Sequence, residues 1–174
     1  MSAKVLIIGF GNPGRRDDGL GPALAAAVEA MAIDGVAVEA AYQLGIEDAA
    51  EAAAYETVIF ADAHATCTEP FVFERLEPTG RPGFTTHAVS PGSVLALARE
   101  MFESEVEGFI LGIRGEDCES FAEELTPAAA RNLAAAAAFI EPVLRKRDFT
   151  GGVTVNATGP GHPATGEGTA ESDE

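Results

Sequence analysis

The stretch IIGFGNPGRRDDGLG, Ile7 to Gly21, decides how this chain is read. It begins inside an apolar run, Val5 to Gly9, that fits a buried parallel strand. Gly9-Phe10-Gly11-Asn12-Pro13-Gly14 then spells G-x-G-x-x-G, the pattern that follows the first strand of dinucleotide-binding folds. Glu39 stands about 20 residues on from the glycines, where a ribose-binding acid belongs. The residues after the glycines oppose that reading. Pro13 removes an N–H from the loop, and Asp17 and Asp18 occupy the place where a helix N-terminus should welcome an anion. Like unit charges about 4 Å apart repel by about 4 kcal/mol at an effective dielectric of about 20. Arg15 and Arg16 offset part of this only if they turn inward, and nothing in the sequence aims them there. A dinucleotide-binding, Rossmann-like protein is therefore the alternative reading, and a loop that receives something positive is the preferred one.

Outward from this stretch, strands and helices alternate. Pro22 to Met31 is alanine-rich and predicts a helix, with Pro22 in its first turn. Further strands are expected at Val36 to Ala40, Val58 to Ala61, Phe71 to Leu76 (half-exposed, at an edge) and Phe109 to Ile113. Further helices are expected at Ile46 to Ala54, at Pro91 to Phe102 with Ser90 as N-cap, and from Thr126-Pro127 to about Arg147. Arg145, Lys146 and Arg147 suit the negative end of that last helix. The pattern predicts a three-layer α/β/α fold: a twisted, mostly parallel five-stranded sheet with helices on both faces. Residues 1–149 form a single α/β domain in this reading. The segment 150–174, rich in Gly, Thr, Pro and acids, is expected to be a disordered tail.

Bulk composition agrees with one domain. The chain has 174 residues, 47% of them hydrophobic, and a formal charge of −17. Such acidity opposes binding to nucleic acid and to anionic membranes, although it also simply aids solubility. Cys67 and Cys118 follow no C-x-x-C spacing, which argues against a disulfide framework or zinc ribbon. Met1-Ser2-Ala3-Lys4 leads straight into the first strand, without a signal-peptide core, and no apolar run approaches about 18 residues. A soluble cytoplasmic protein is expected.

In folds of this kind ligands bind at the carboxyl ends of the strands. Three loops should meet there: Gly11 to Gly21, Asp62 to Thr68, and Thr85 to Ser90. Asp17 or Asp18, Asp62 and His87 would then face one another as carboxylates and an imidazole, a donor set suited to nickel or zinc. Each has an ordinary alternative. A strand-end Asp often caps a helix, and a His before a helix often only hydrogen-bonds. His64 is the competing imidazole, and His162 lies in the tail. Cys67 reads as a small buried thiol rather than a nucleophile, and Ser90 as a helix cap.

Two resemblances follow from these residues. Gly11-Asn12-Pro13-Gly14 after a strand is similar to peptidyl-tRNA hydrolases, but their Thr-Arg-His-Asn stretch is replaced here by Asp17-Asp18-Gly19-Leu20. The broader likeness is to the [NiFe]-hydrogenase maturation proteases. It rests on Gly9-Phe10-Gly11-Asn12 with Asp17-Asp18-Gly19-x-Gly21, on Ile59-Phe60-Ala61-Asp62-Ala63, and on Thr85-Thr86-His87-Ala88-Val89-Ser90-Pro91. Gly112-Ile113-Arg114-Gly115 with Leu125-Thr126-Pro127 completes it, in the same order along residues 4 to 147.

That resemblance implies an endopeptidase that removes a C-terminal extension from the nickel-loaded [NiFe]-hydrogenase large-subunit precursor. It puts the metal-contacting and catalytic positions on Asp18, Asp62 and His87, with Asp18 replacing a more common Glu. The nickel is expected to arrive on the precursor and to serve as the recognition element, with no permanently bound metal. An Asp-Gly-Gly-Thr stretch found in some relatives is Tyr42-Gln43-Leu44-Gly45 here. The H-E-x-x-H helix of typical zinc proteases is missing from the sequence. Peptide cleavage is open to two routes: a metal that polarises the carbonyl or a water, or an aspartate acting as general base. A non-proteolytic nickel metallochaperone is a further alternative.

Overall fold

The computed structural model describes residues 4–79 and 89–150. In chain order they form β1 (Val5–Phe10), a 3-10 turn (Arg16–Gly19), α1 (Leu20–Ala30), β2 (Val36–Ala41), α2 (Glu47–Ala53), β3 (Thr57–His64), β4 (Phe71–Leu76), α3 (Pro91–Phe102), β5 (Glu107–Arg114) and α4 (Pro127–Lys146). The five strands make one sheet in the order β2-β1-β3-β5-β4. All neighbouring pairs are parallel except β4 with β5, which places the antiparallel strand at an edge. The predicted three-layer fold is the one observed.

The alternation of side chains along β1 explains the layers. Val5 and Ile7 point to one face and join Leu24 and Val28 of α1 and Ala136 and Ile140 of α4. Leu6 and Ile8 point to the other and join Ala49 and Ala52 of α2 and Val94 and Leu95 of α3. Both faces are thus covered, and the central strands are buried throughout. The two predicted caps form: Ser90 accepts from the Ser93 N–H at 3.1 Å, and Thr126 from the Ala129 N–H at 3.2 Å.

Two boundaries differ from the sequence reading in ways that matter for the site. α1 starts at Leu20, two residues before Pro22, because the 3-10 turn feeds directly into it. Pro22 remains in the first turn, where its missing N–H leaves no bond unmade. β3 does not stop at Ala61 but continues through Asp62 to His64, paired in register with Gly112 to Arg114 of β5. β1 leaves the ladder earlier, at Gly9 opposite Ala61. Asp62 is therefore the first residue of β3 beyond its pairing with β1.

Among the described residues the last to pack is Phe149, whose ring stacks on Phe109 at 5.5 Å. Of the expected tail at 150–174, all but Thr150 lies outside the described residues, as do the expected contributions of Thr85 to Ala88.

Candidate functional site

The glycine loop holds itself. Every N–H from Gly11 to Asp18 has a partner within the protein. Gly11 donates to the Ala41 carbonyl, Arg15 to Asn12, Arg16 to Ala122, Asp17 to Asp117, and Asp18 to Arg15. Asn12 donates to Asp18 Oδ2 at 2.7 Å, and Gly14 to Asn12 Oδ1 at 2.9 Å. Pro13 has no N–H. A phosphate cradle needs such groups unoccupied and aimed outward, and here they are committed. The glycines serve backbone packing instead. A Cβ on Gly9 would lie 2.2 Å from the Gly21 carbonyl oxygen, and one on Gly11 (φ +140°) 2.0 Å from that of Asp18. The arginines turn away as well: Arg15 lies over the Phe121 ring at 5.4 Å, and Arg16 pairs with Asp117 at 3.8 Å.

The adjacent acids have separate roles. Asp17 is fully buried. Its carboxylate accepts from the N–H groups of Glu116, Asp117 and Thr126 at 2.8, 3.0 and 2.8 Å, and from the Thr126 hydroxyl at 2.7 Å. Burial opposes its charge, but these hydrogen bonds outweigh burial and hold the carboxyl below the ordinary aspartate range. Asp17 ties the 3-10 turn to the connection between β5 and α4. It leaves Asp18, half-buried, as the loop's outward acid.

Asp62 meets Asp18 at the end of the sheet. Burial pushes its carboxyl up to about 6, a hydrogen bond from the Ala63 N–H works against this, and the charge of Asp18 pushes it further up. Asp18 thus lies within electrostatic reach of Asp62, and its charge adds to the cost of ionising Asp62. A proton or a cation relieves that cost.

The third predicted residue, His87, lies outside the described residues. Among the described residues, no group of three His, Cys, Asp or Glu side chains is placed to hold a metal ion. The competing imidazole, His64, has its Nδ1 engaged by the N–H groups of Thr66 and Cys67 at 3.1 and 2.9 Å, so it shapes the turn after β3. Cys67 is buried with its Sγ 3.8 Å from the Gly112 carbonyl, as a small core thiol should be. Arg114 Nη1 donates to the Cys67 carbonyl at 2.6 Å, bracing that turn against β5.

The sequence reading did not place Cys118 near these acids. It is half-buried on the β5–α4 connection, where burial and then the charges of Asp18, Asp17, Asp62 and Asp117 push its thiol up. The rule that located the other loops, strand carboxyl ends converging on one edge, applied equally to the loop after β5.

The chain matches no protein-family model and no curated protein. Its fold does have solved counterparts. A [NiFe] hydrogenase maturation protease, HycI from Thermococcus kodakarensis, superposes with a TM-score of 0.64 at 20% identity, over 82% of this chain and 93% of that one. The hydrogenase maturating endopeptidase HybD from E. coli superposes with 0.64 at 23% identity, over 83% and 93%. A hydrogenase 2 maturation peptidase from a Thaumarchaeota archaeon gives 0.60 at 23% identity, over 81% and 97%. These likenesses span nearly the whole length of each counterpart, so the fold of this chain is that of the hydrogenase maturation endopeptidases.

Proposed function

We propose that this protein is an endopeptidase that trims a C-terminal extension from the nickel-loaded [NiFe]-hydrogenase large-subunit precursor. The observation that carries the reading is the opposed pair Asp18 and Asp62, set beside a glycine loop whose N–H groups are all engaged. Such a site attracts positive charge and has nothing to offer a phosphate. The fold shared with named maturation endopeptidases supports the same reading.

In this proposal the nickel belongs to the substrate. Asp18, Asp62 and His87 complete its coordination, so only a loaded precursor neutralises the acidic pair and docks productively. Val89, two residues beyond His87, packs against the core layer that alternation along β3 assigns to Asp62, which favours the meeting of imidazole and carboxylate. With one carboxylate oxygen on the nickel, the other oxygen of Asp62 can accept a proton. Asp62 then takes a proton from a water whose oxygen adds to the scissile carbonyl carbon. The C–N bond breaks and the proton passes to the departing amine. The proposal sets the reaction in the cytoplasm, a compartment that keeps thiols such as the unpaired Cys67 and Cys118 reduced.

The test is incubation with nickel-loaded precursor, with and without chelator, followed by mass spectrometry of the large subunit. The wild type shortens the precursor, and Asp62→Asn and His87→Ala leave it intact while retaining their circular dichroism. Normal trimming by both variants overturns the site. Nickel transfer without shortening identifies a metallochaperone, and fluorescence quenching by NAD(P)H identifies a dinucleotide binder.

A further inference from the structure

Beside the Asp18 turn the sheet ends in an open edge. Among the described residues β2 is the outermost strand on its side and is joined only to β1. In a parallel ladder, alternate residues direct N–H and C=O to opposite sides of the strand. Gly35 and Ala41 give their carbonyls to Val5 and Gly11 on the β1 side. Val38 and Ala40 therefore present N–H and C=O outward, and no partner meets them among the described residues.

A small apolar groove adjoins this edge. Gly11, Pro13, Pro22, Ala40, Ala41 and Tyr42 line about 160 Å³. Small-molecule sites usually offer about 300–1,000 Å³, so this groove suits a single aliphatic side chain. Tyr42, one of its walls, is 73% exposed, an unusual state for a large aromatic side chain. The groove is continuous with the candidate site through Gly11, which packs directly against the Asp18 backbone. The opposite face of this edge is acidic: Glu39 on β2 lies within the electrostatic reach of Glu51 and Asp48 of α2. An acidic tail is repelled there, and a basic segment is attracted.

We infer that the open edge of β2 and its groove receive the extended C-terminal segment of the polypeptide substrate as an added strand, with an aliphatic side chain between Pro13, Pro22 and Tyr42 and a basic residue near Glu39. This rests on the endopeptidase reading and specifies how that substrate is held. Main-chain pairing supplies affinity and the groove supplies selectivity, as in other strand-addition complexes.

The test uses Ala40→Pro, which deletes one outward N–H at an edge position that tolerates proline, and Tyr42→Ala, which opens the groove at an exposed site. Both are assayed on full-length nickel-loaded precursor. KM should rise about tenfold in each with kcat unchanged, which is the signature of lost binding that is equal in ground and transition states. If the wild type fails to trim, the endopeptidase reading falls. If it trims and both variants keep the wild-type KM, the strand-addition inference alone falls. A wild-type dimer that Ala40→Pro converts to monomer, seen by analytical ultracentrifugation, assigns the edge to a second copy and also overturns it.

Discussion

Asp17 and Asp18 are neighbours with opposite assignments, and the difference lies in what each carboxylate touches. Asp17 satisfies four donors in a buried knot. Asp17→Ala should lower the unfolding free energy by at least about 3 kcal/mol, measured by urea titration, because several buried donors lose their partner at once. The same knot sets an acid limit. Asp17 titrates below its ordinary 3.8 when folded, so its stabilisation is intact above that pH and is lost as pH falls through the folded value. Asp62 has the reverse sign. It titrates near about 6 folded and 3.8 unfolded, so stability declines as pH rises between those values. Asp62→Asn should match the wild type near pH 4 and exceed it by about 2 kcal/mol at pH 7, once the exposed part of the carboxyl is discounted. That Asp18 lies within electrostatic reach of Asp62 follows from strand-end placement, whereas His87 lies outside the described residues. The role of Asp17 was not legible, because its partner Thr126 is 109 residues away and leaves no local pattern. The place of Cys118 beside the acids was not legible either, because no spacing ties it to them.

At the scale of elements, short local signals were the legible ones. Ser-Pro and Thr-Pro marked the starts of α3 and α4, and continuous apolar runs marked the buried strands. The end of β3 was less readable, since Asp62-Ala63-His64 breaks the apolar run, yet eight residues of β5 run beside it and keep the ladder going. Long-range pairing overrode local polarity. The glycine spacing was the most misleading signal. It reflects how closely α1 must approach the sheet: a Cβ on Gly21 would fall 2.4 Å from the carbonyl oxygens of both Ala61 and Phe10. These are backbone atoms that cannot turn aside. Gly21→Ala should therefore cost about 3 kcal/mol, read as a lowered midpoint in thermal unfolding, although alanine is the better helix former.

For the whole molecule, the five-stranded sheet and its two helical layers were readable because periodicity and alternation agreed along the chain. The domain boundary at 149 is tested by truncation. Ending the chain after Thr150 should leave the thermal midpoint within about 2 °C, since few stabilising contacts are expected past a domain's last packed ring. Ending it after Asp148 removes the Phe149 ring from Phe109 and should lower the midpoint measurably.

The bonds from Asp17 to Thr126 and to the residues just after β5 also set an order of events during synthesis. Chains emerge from the ribosome starting at the amino end. The turn bearing Asp18 is made well before its anchor, since Thr126 follows Asp17 by 109 residues. A nascent chain halted before that point cannot present a finished acidic pair, so competence to meet a cation arrives late, with the closing helix.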